Sequence, residues 1–497
     1  MNIDGALSIA SGGLANINRQ MALVSQNVAN ASTPGYAVET GTQQSITADG
    51  EGLGVRSGPA VRTIDTALQS EVFSQNASVA GLQTRQAALQ AIDAVQGTPG
   101  QGGDIASLLG NLQDQFSTLL NDPSSQAQQS QVVSAAGTLA QGINALSDAY
   151  TAQRQTAQDS IVAAVATLNA TLGTIGGLSD NIVALKAGGQ STADLENQRD
   201  EAVASLSQLL DVKTLEQPNG DLLITTTAGL TLPIHGAADP LSTTDVNVLP
   251  GVYYPGGGIP AITLGGTDVT AQLQGGQIGA NITLRDTTLP TDQAELDEFS
   301  QTMASRFAAN GLTLFTQPDG TVPTASAPPT QNGYVGFSGT IQVNPAIQSN
   351  PSAVRDGDVP PVPALAGYTG IISAVLNAVL GSNPPLNSNA VNLGPGGNLN
   401  APYATPTPPF FASPATLQQL ASTMLASQAQ DSAGATSQLA TQQAVQTTLT
   451  TKLSTQSGVN MDTEMSTMIQ LQNAYGANAK VIAAVQAMWA QLLATVQ

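Results

Sequence analysis

The sequence predicts an α+β multidomain protein with coiled-coil helices at its N- and C-termini, a helical bundle and a β-rich insert. Three observations predict this class. Apolar residues recur with heptad spacing at both ends of the chain. From residue 66 to 210 their spacing is that of helices, and from about residue 211 their period changes towards the two residues typical of strands. A chain of 497 residues also exceeds the size of one compact core, so several folding units are expected.

Composition excludes several classes of function. Acidic residues outnumber basic residues 34 to 13, for a formal net charge of −21. Nucleic acids and anionic membranes bind clustered lysine and arginine, so we expect neither as a partner. The absence of cysteine excludes disulfides, thiolate nucleophiles and cysteine-containing zinc sites. The uncharged stretch 160–179 has helical periodicity, so we expect a packed helix there and no membrane insertion.

The first residues lack the basic start and the apolar core of a cleaved secretory signal. We therefore expect a cytoplasmic chain, or one that is exported by a route needing no such signal.

The N-terminal helix is predicted from a heptad seam. It must end near Thr33, because Pro34 disfavours helical geometry in the residue before it and Pro34-Gly35 favours a type II turn. Residues 40–60 are rich in Gly and Thr and predict an extended connection. The residues of this seam are Ile3, Leu7, Ala10, Leu14, Ile17, Met21, Val24 and Val28.

Several helices are predicted between residues 66 and 210. Helical spacing resumes after Asp65 and stops at the Gly-rich break 97–103. Asp122 before Pro123 predicts the N-cap of a later helix that runs towards Tyr150. The apolar seam beyond residue 160 belongs either to the continuation of that helix or to a successor.

Short strands are predicted from about residue 211. Asn219-Gly220 between two apolar runs predicts a hairpin with a type I′ turn, in which both central residues have positive φ. Short strands separated by Gly are expected to about residue 290. One helix around Phe299 then interrupts the β-rich region. Residues 316–414 are rich in Pro, Gly and Asn and are expected to hold short strands at best.

The final helix carries the second heptad seam. Between Glu464 and Gln497 only Lys480 is charged, which implies burial on more than one side. On pattern alone, the two terminal seams form either an intramolecular hairpin or a surface that also meets neighbouring subunits. The residues of this seam are Met468, Leu471, Tyr475, Ala479, Ile482, Val485, Trp489, Leu492 and Val496.

Signals for catalysis are poor. His235, the only histidine, has Asp239 nearby, but no G-x-S-x-G nucleophile motif accompanies it, and we expect a loop or strand-end residue. Phosphate-binding and EF-hand patterns are missing, so we expect no enzyme, no cofactor and no metal. Two carboxylate pairs are interpreted as a solvated face or local ion pairs, and not as a glycosidase site: Asp194 with Glu196, and Asp200 with Glu201.

The most informative stretch is NVANASTPGY, residues 27–36. By itself it predicts a helix end followed by a turn. It also resembles the signature of the bacterial flagellar axial proteins, the family of rod, hook and hook-filament junction subunits. The family's turn motif falls on Asn27, Asn30, Thr33, Pro34, Gly35 and Tyr36.

Three further stretches carry the resemblance. GLGVRSGPAVRTID, residues 52–65, resembles the family's connector, and residues 457–482 resemble its C-terminal helix. In residues 194–224 an acidic-Gln-Arg-Asp run precedes a Leu-rich helix, and this stretch is most similar to the hook-associated, junction-forming members.

The resemblance implies three domains. A terminal-helix axial core domain takes residues 1–65 with 457–497. A helical domain takes 66–210 with 290–312 and 415–456, and the β-rich outer domain takes 211–289 with 313–414. It further implies a structural subunit that assembles at the distal end of the hook and joins hook to filament through its terminal helices.

The implied partners are further copies in a ring or helical stack, the hook protein, the next hook-associated protein towards the filament, and a type III export chaperone. The implied location is the extracellular flagellum, reached without a cleaved signal peptide. The alternatives are another axial protein of hook or rod, a different type III-secreted coiled-coil protein, and a secreted hydrolase housed in the β-rich insert.

Overall fold

The computed structural model describes residues 3–48, 51–97, 100–236, 239–324, 333–359, 365–381 and 415–496. These residues are mostly helical, with small antiparallel sheets. The helices are α1 (Ile3–Asn30), α2 (Thr66–Gln96), α3 (Ile105–Asn121), α4 (Gln126–Ala187), α5 (Ala193–Leu209), α6 (Gly276–Thr283), α7 (Leu289–Ala309), α8 (Pro345–Ser349), α9 (Ala353–Asp356), α10 (Gly370–Ala374), α11 (Leu417–Ser457) and α12 (Met461–Val496). The strands are β1 (Glu39–Ala48), β2 (Glu51–Arg62), β3 (Val212–Glu216), β4 (Leu222–Thr226), β5 (Thr231–Leu232), β6 (Leu241–Ser242), β7 (Thr263–Leu264), β8 (Thr267–Asp268), β9 (Phe315–Thr316) and β10 (Gln342–Val343).

The terminal helices α1 and α12 lie side by side and antiparallel. Asn27 of α1 contacts Glu464 of α12, and Gly13 further towards the N-terminus faces Asn478. The segment expected to be an extended connection forms the long hairpin β1–β2, whose register pairs Glu39 with Arg62. We call these four elements the terminal unit.

Helix α4 runs without a break for 62 residues, a length of about 93 Å. The seam beyond residue 160 therefore continues the helix that precedes it. The predicted N-cap is wrong, because Ser125 caps α4 by accepting a hydrogen bond from the Gln128 backbone N–H. Asp122 ends α3 instead, and its carbonyl accepts the N–H of Ser125 at 3.2 Å across a turn containing Pro123.

One stretch of α4 is apolar enough to cross a membrane by length and composition, with a mean hydropathy of 1.6. The same helix is part of the protein core. It buries Arg154, whose guanidinium donates hydrogen bonds to three backbone carbonyls, those of Arg285, Leu249 and Val252. A helix packed inside a protein core passes the same test of length and composition.

The first core surrounds the N-terminal half of α4. Phe307 of α7 is at its centre, with its ring centroid 6.2 Å from that of Phe116 and 5.4 Å from that of Phe315. Leu417 and Met424 of α11 belong to the same core. So do residues from 312 to 380, which means that a shared core joins this part of the predicted outer domain to the helical bundle.

The second core surrounds the C-terminal half of α4 and includes α5, α6 and the sheet β3–β4–β5. The hairpin predicted at Asn219-Gly220 is confirmed, but its turn is not type I′. Gly220 has a φ of 95°, whereas Asn219 keeps a negative φ. Since Pro218 has a fixed φ near −65°, the loop forms a three-residue turn, closed by the Gly220 N–H bonded to the Gln217 carbonyl.

Two other strand predictions hold only in part. The short strands β5–β8 follow the hairpin as expected but end at Asp268, and in the described part of 316–414 the strand β10 accompanies several helices. Helix α6 and a π-helical turn, Leu284–Thr288, replace the strands expected before residue 290. Helices α8, α9 and α10 occupy a region expected to hold strands at best, and Asn344 caps α8 through the Ala346 N–H. Residues 325–332, 360–364 and 382–414 of the predicted outer domain lie outside the described residues.

Gly176 of α4 lies at a close approach to the loop after β5. A Cβ there would lie 1.8 Å from the carbonyl oxygen of Ile234. We expect Gly176→Ala to lower the free energy of unfolding by about 2–3 kcal/mol, because overpacking costs in this range. Urea unfolding followed by circular dichroism measures the change.

Gly177 is the matched control, since a Cβ there would meet no atom within 4 Å. Gly177→Ala should raise the free energy of unfolding by about 0.5–1 kcal/mol, because alanine is the better helix former. A stabilising effect of Gly176→Ala as well would show that the Ile234 loop moves aside without cost.

Candidate assembly surface of the terminal helices

The seam predicted on α1 faces α12. Gly13 allows the helices to approach closely, since a Cβ there would lie 3.4 Å from the Asn478 Oδ1 atom. The side chain of Ile3 lies outside the described residues. The buried seam residues are Ala10, Ile17 and Val24, and the half-buried ones are Leu7, Leu14, Met21 and Val28.

The seam predicted on α12 coincides with the contact only in part. Tyr475 is 41% exposed and Trp489 is 38% exposed, while Ala474 and Asn478, absent from the prediction, pack towards α1. The side chains of Leu492 and Val496 lie outside the described residues. The buried seam residues are Leu471 and Val485, and the half-buried ones are Met468, Ala479 and Ile482.

The predicted turn motif covers the last turn of α1 and the residues that follow it. The Tyr36 N–H donates to the Thr33 carbonyl at 3.3 Å, and Gly35 has a φ of 81°, as a type II turn with Pro34 at its second position requires. The Asn30 amide accepts a hydrogen bond from the Thr33 hydroxyl at 3.3 Å. The motif therefore ends α1 and reverses the chain towards β1.

Asn27 connects this turn to its surroundings. Its side-chain N–H groups donate to the Glu39 carbonyl at 2.9 Å and to a Glu464 carboxylate oxygen at 3.3 Å. Its Oδ1 accepts from the Glu39 backbone N–H at 3.0 Å and from the Tyr36 hydroxyl at 3.1 Å. One buried amide thus joins the end of α1, the start of β1 and the start of α12.

A second network joins the terminal unit to α5. Arg62, the last residue of β2, donates to Glu196 at 2.8 Å and to Asp200 at 2.6 Å. The Asn197 amide accepts from the Ala37 N–H and donates to the Ala37 carbonyl, both at 3.2 Å. These contacts fix the hairpin and the turn to the helical part of the chain, and sequence patterns predicted neither of them.

The carboxylates of this junction have opposite pKa shifts. Burial raises the pKa of Glu39, and the nearby charge of Asp194 raises it further. Burial would also raise the pKa of Glu196, but a hydrogen bond from Thr192 and the charge of Arg62 bring it below the usual value. Glu196 is therefore held in its charged form by its partners.

Exposed apolar side chains concentrate on the terminal unit. Of 17 exposed large apolar side chains in the described part of the chain, seven lie on α12 and three on the β1–β2 hairpin. Exposed apolar surface on one element is typical of a contact surface for another molecule. The seven on α12 are Met461, Met465, Ile469, Tyr475, Val481, Met488 and Trp489.

The candidate catalytic residues hold structural contacts or lie in solvent. The His235 ring nitrogens lie 3.0 Å from Asp221 and 3.3 Å from Asp180, so His235 links the loop after β5 to α4 and to the β3–β4 hairpin. Asp239 and Glu201 are exposed. No group of three or more His, Asp or Glu side chains is placed to hold a metal ion within the described ranges.

Two family models match the chain, and together they cover just over half of it. The model described as the flagellar hook-associated protein FlgK helical domain matches residues 89–319, and the one described as the flagellar basal body rod FlgEFG protein C-terminal matches residues 454–495. No curated protein sequence matches.

Among solved structures, the flagellar hook junction protein FlgK from Burkholderia pseudomallei is similar. The identity is 22%, the TM-score is 0.41, and the alignment covers 51% of this chain and 45% of that chain. The matched part thus spans less than half the length of that protein.

Proposed function

We propose that this chain, which belongs to the flagellar hook-associated protein FlgK family, is a structural subunit at the distal end of the flagellar hook. There it joins hook to filament through helix-helix packing of its termini. Its partners in this proposal are further copies of the chain, the hook protein and the next hook-associated protein towards the filament. A type III export chaperone would accompany it before export to the extracellular flagellum.

The observation that carries this proposal is the exposed apolar surface of α12. Its seven large exposed side chains lie outside the contact with α1, and only one charged residue follows Glu464. A helix of this kind is stable in water only when further apolar surface covers it. Packing of α12 against neighbouring copies would supply that surface in a heterologous, repeating interface.

The Asn27 and Arg62 networks also suit a unit that transmits force. A subunit that joins hook to filament must transmit force between its terminal helices and the rest of its chain. The Asn27 network joins α1, α12 and the hairpin through buried hydrogen bonds, and the part-buried, charge-assisted bonds of Arg62 join the hairpin to α5. In our proposal, residues 1–65 with 457–497 act as the axial core, and the remaining domains lie outside it.

Electron microscopy of flagella from a deletion strain tests the proposal. Hooks that lack filaments, restored by expression of the full chain, are the expected result. Absence of hooks or rods would favour the alternative of a hook or rod protein, consistent with the rod-type match at residues 454–495. Intact filaments in the deletion strain would refute a junction role.

A further inference from the structure

Helix α7 carries acidic side chains into the first core. Asp292 and Glu295, three residues apart and on the same side of the helix, are 9% and 7% exposed. Helix α11 packs against α7, and the charge of its exposed residue Asp431 reaches both carboxyls. We call Asp292, Glu295 and Asp431 the acid layer.

The groups around the acid layer are mostly acidic or neutral. Arg85 of α2 is the cation whose charge reaches Asp292. Asp93 of α2 accepts a hydrogen bond from the Ser432 hydroxyl of α11. Tyr150 of α4 faces the layer, and its hydroxyl donates to Gln428 of α11 at 2.9 Å.

The excess of acidic groups therefore opposes the ionisation of Asp292 and Glu295. The groups that face one another from α2, α4, α7 and α11 include four carboxyls and one guanidinium. Two of the carboxyls are nearly removed from water, where an unpaired charge is costly. Burial, followed by the charge of Asp431, raises the pKa of Asp292 to about 8. Burial and the charges of Asp292 and Asp431 raise the pKa of Glu295 to about 9.

Asp297 of the same helix is also buried, but hydrogen-bond donors surround its carboxylate. Its carboxylate accepts hydrogen bonds from the Gly336 N–H at 2.7 Å, from the Ser338 N–H at 2.9 Å and from Gln293 at 3.1 Å. These donors partly offset its burial, and its pKa is about 6. The charged form of Asp297 is thus compensated by the fold in a way that favours ionisation near neutral pH.

We propose that the acid layer is a proton-dependent clamp between α7 and α11, closed while Asp292 and Glu295 hold their protons and loosened when they ionise. The clamp is independent of the proposed flagellar role. It lies in the N-terminal half of α11, remote from Ser457, where α11 passes to the terminal unit. Ionisation would therefore release the N-terminal half of α11, which packs in the first core, before it affects the terminal pair.

The direction of the pH effect follows from linkage. A carboxyl whose pKa is raised in the folded state stabilises the fold fully below its unfolded pKa, about 4. That stability is lost as the pH rises through the folded value. One such group raises the opening equilibrium constant about tenfold per pH unit, and two raise it up to about a hundredfold, between about pH 5 and 8.

Hydrogen exchange of the full chain tests the clamp. Opening constants of amides in α7 and in residues 421–435 are measured from pH 5.5 to 8.5, after correction for intrinsic exchange. We expect them to rise in the wild type by about tenfold or more per pH unit up to about pH 8 and then to level off, as the linkage relation requires. In the double variant Asp292→Asn, Glu295→Gln this rise should be lost, because the amides cannot ionise.

Two further variants complete the test. Asp431→Asn changes a surface residue, so it leaves the core packing intact, and the rise should level off at a lower pH because one repelling charge is gone. Asp114→Asn, at an exposed position of α3, removes the same charge elsewhere and should behave like the wild type. The same pH profile in the wild type, the double variant and Asp431→Asn would overturn the proposal.

Discussion

Arg62→Met is expected to lower the free energy of unfolding by about 3 kcal/mol, the lower end of the range for breaking a buried ion pair. The side chain of Arg62 is 7% exposed, and its loss leaves Glu196 and Asp200 without their cation. The value lies at the lower end because these carboxylates remain 16% and 14% exposed, so water offsets part of the loss. Urea unfolding gives the total, and hydrogen exchange of residues 194–200 locates it.

Arg56→Met is the matched control. Arg56 lies on the same strand, but it is exposed and donates one hydrogen bond, to Gln44 at 3.1 Å. Its replacement should change the free energy of unfolding by no more than about 0.5 kcal/mol, as for most surface substitutions. Equal losses in the two variants would show that removal of any positive charge from this acidic protein has the same cost.

The difference between Arg62→Met and the wild type should shrink in acid. Against burial, Thr192 and Arg62 lower the pKa of Glu196 in the folded state. A lowered pKa stabilises the fold above the unfolded value, about 4.3 for glutamate, and this contribution is lost as the pH falls through the folded value. The wild type loses this contribution to its stability in acid, whereas the variant lacks most of it at every pH. A constant difference from pH 7 to pH 3 would contradict this account.

Periodicity predicted the terminal helices but not which side of α12 faces α1. Leu471 and Tyr475 both fall on the heptad pattern, yet the first is buried and the second is largely exposed. Apolar side chains surround much of α12, so more than one line along it satisfies the pattern. The choice depends on contacts such as Gly13 with Asn478, where a small residue admits a polar one, and heptad spacing does not encode them.

Contacts between distant parts of the chain also determine elements, such as helix α6, that sequence patterns did not predict. Helix α6 begins at Gly276, where a Cβ would lie 2.4 Å from the backbone of Leu209. A Cβ on Gly81 of α2 would lie 3.1 Å from the Gly276 carbonyl. Gly276, which lies in a stretch where glycines predicted breaks between strands, thus serves close approaches between helices. The burial of the acidic residues of α7 could not be predicted either, because a run such as Asp-Gln-Ala-Glu at 292–295 is typical of exposed helices.

Ile469→Glu is expected to abolish incorporation of the subunit at the hook tip. Ile469 is 56% exposed on α12, so the free chain should fold as the wild type does. In the proposed assembly a neighbouring copy covers this position, and an unpaired buried carboxylate costs several kcal/mol. A loss of that size corresponds to a reduction of roughly a hundredfold or more in binding. Complementation of the deletion strain, with filaments counted by electron microscopy, gives the result.

Ala10→Glu separates the two interpretations of the terminal helices that heptad spacing leaves open. Ala10 is 3% exposed and lies on the same heptad seam as Ile17 and Val24, which pack with Leu471 of α12, so a glutamate there should separate the pair in the free chain and also prevent incorporation. Gln443→Glu, at an exposed position of α11, controls for the added charge and should incorporate normally. If the helices served only each other, Ala10→Glu would fail and Ile469→Glu would incorporate. Failure of both, with the Ile469 variant folded, requires that α12 contact a neighbouring molecule as well as α1.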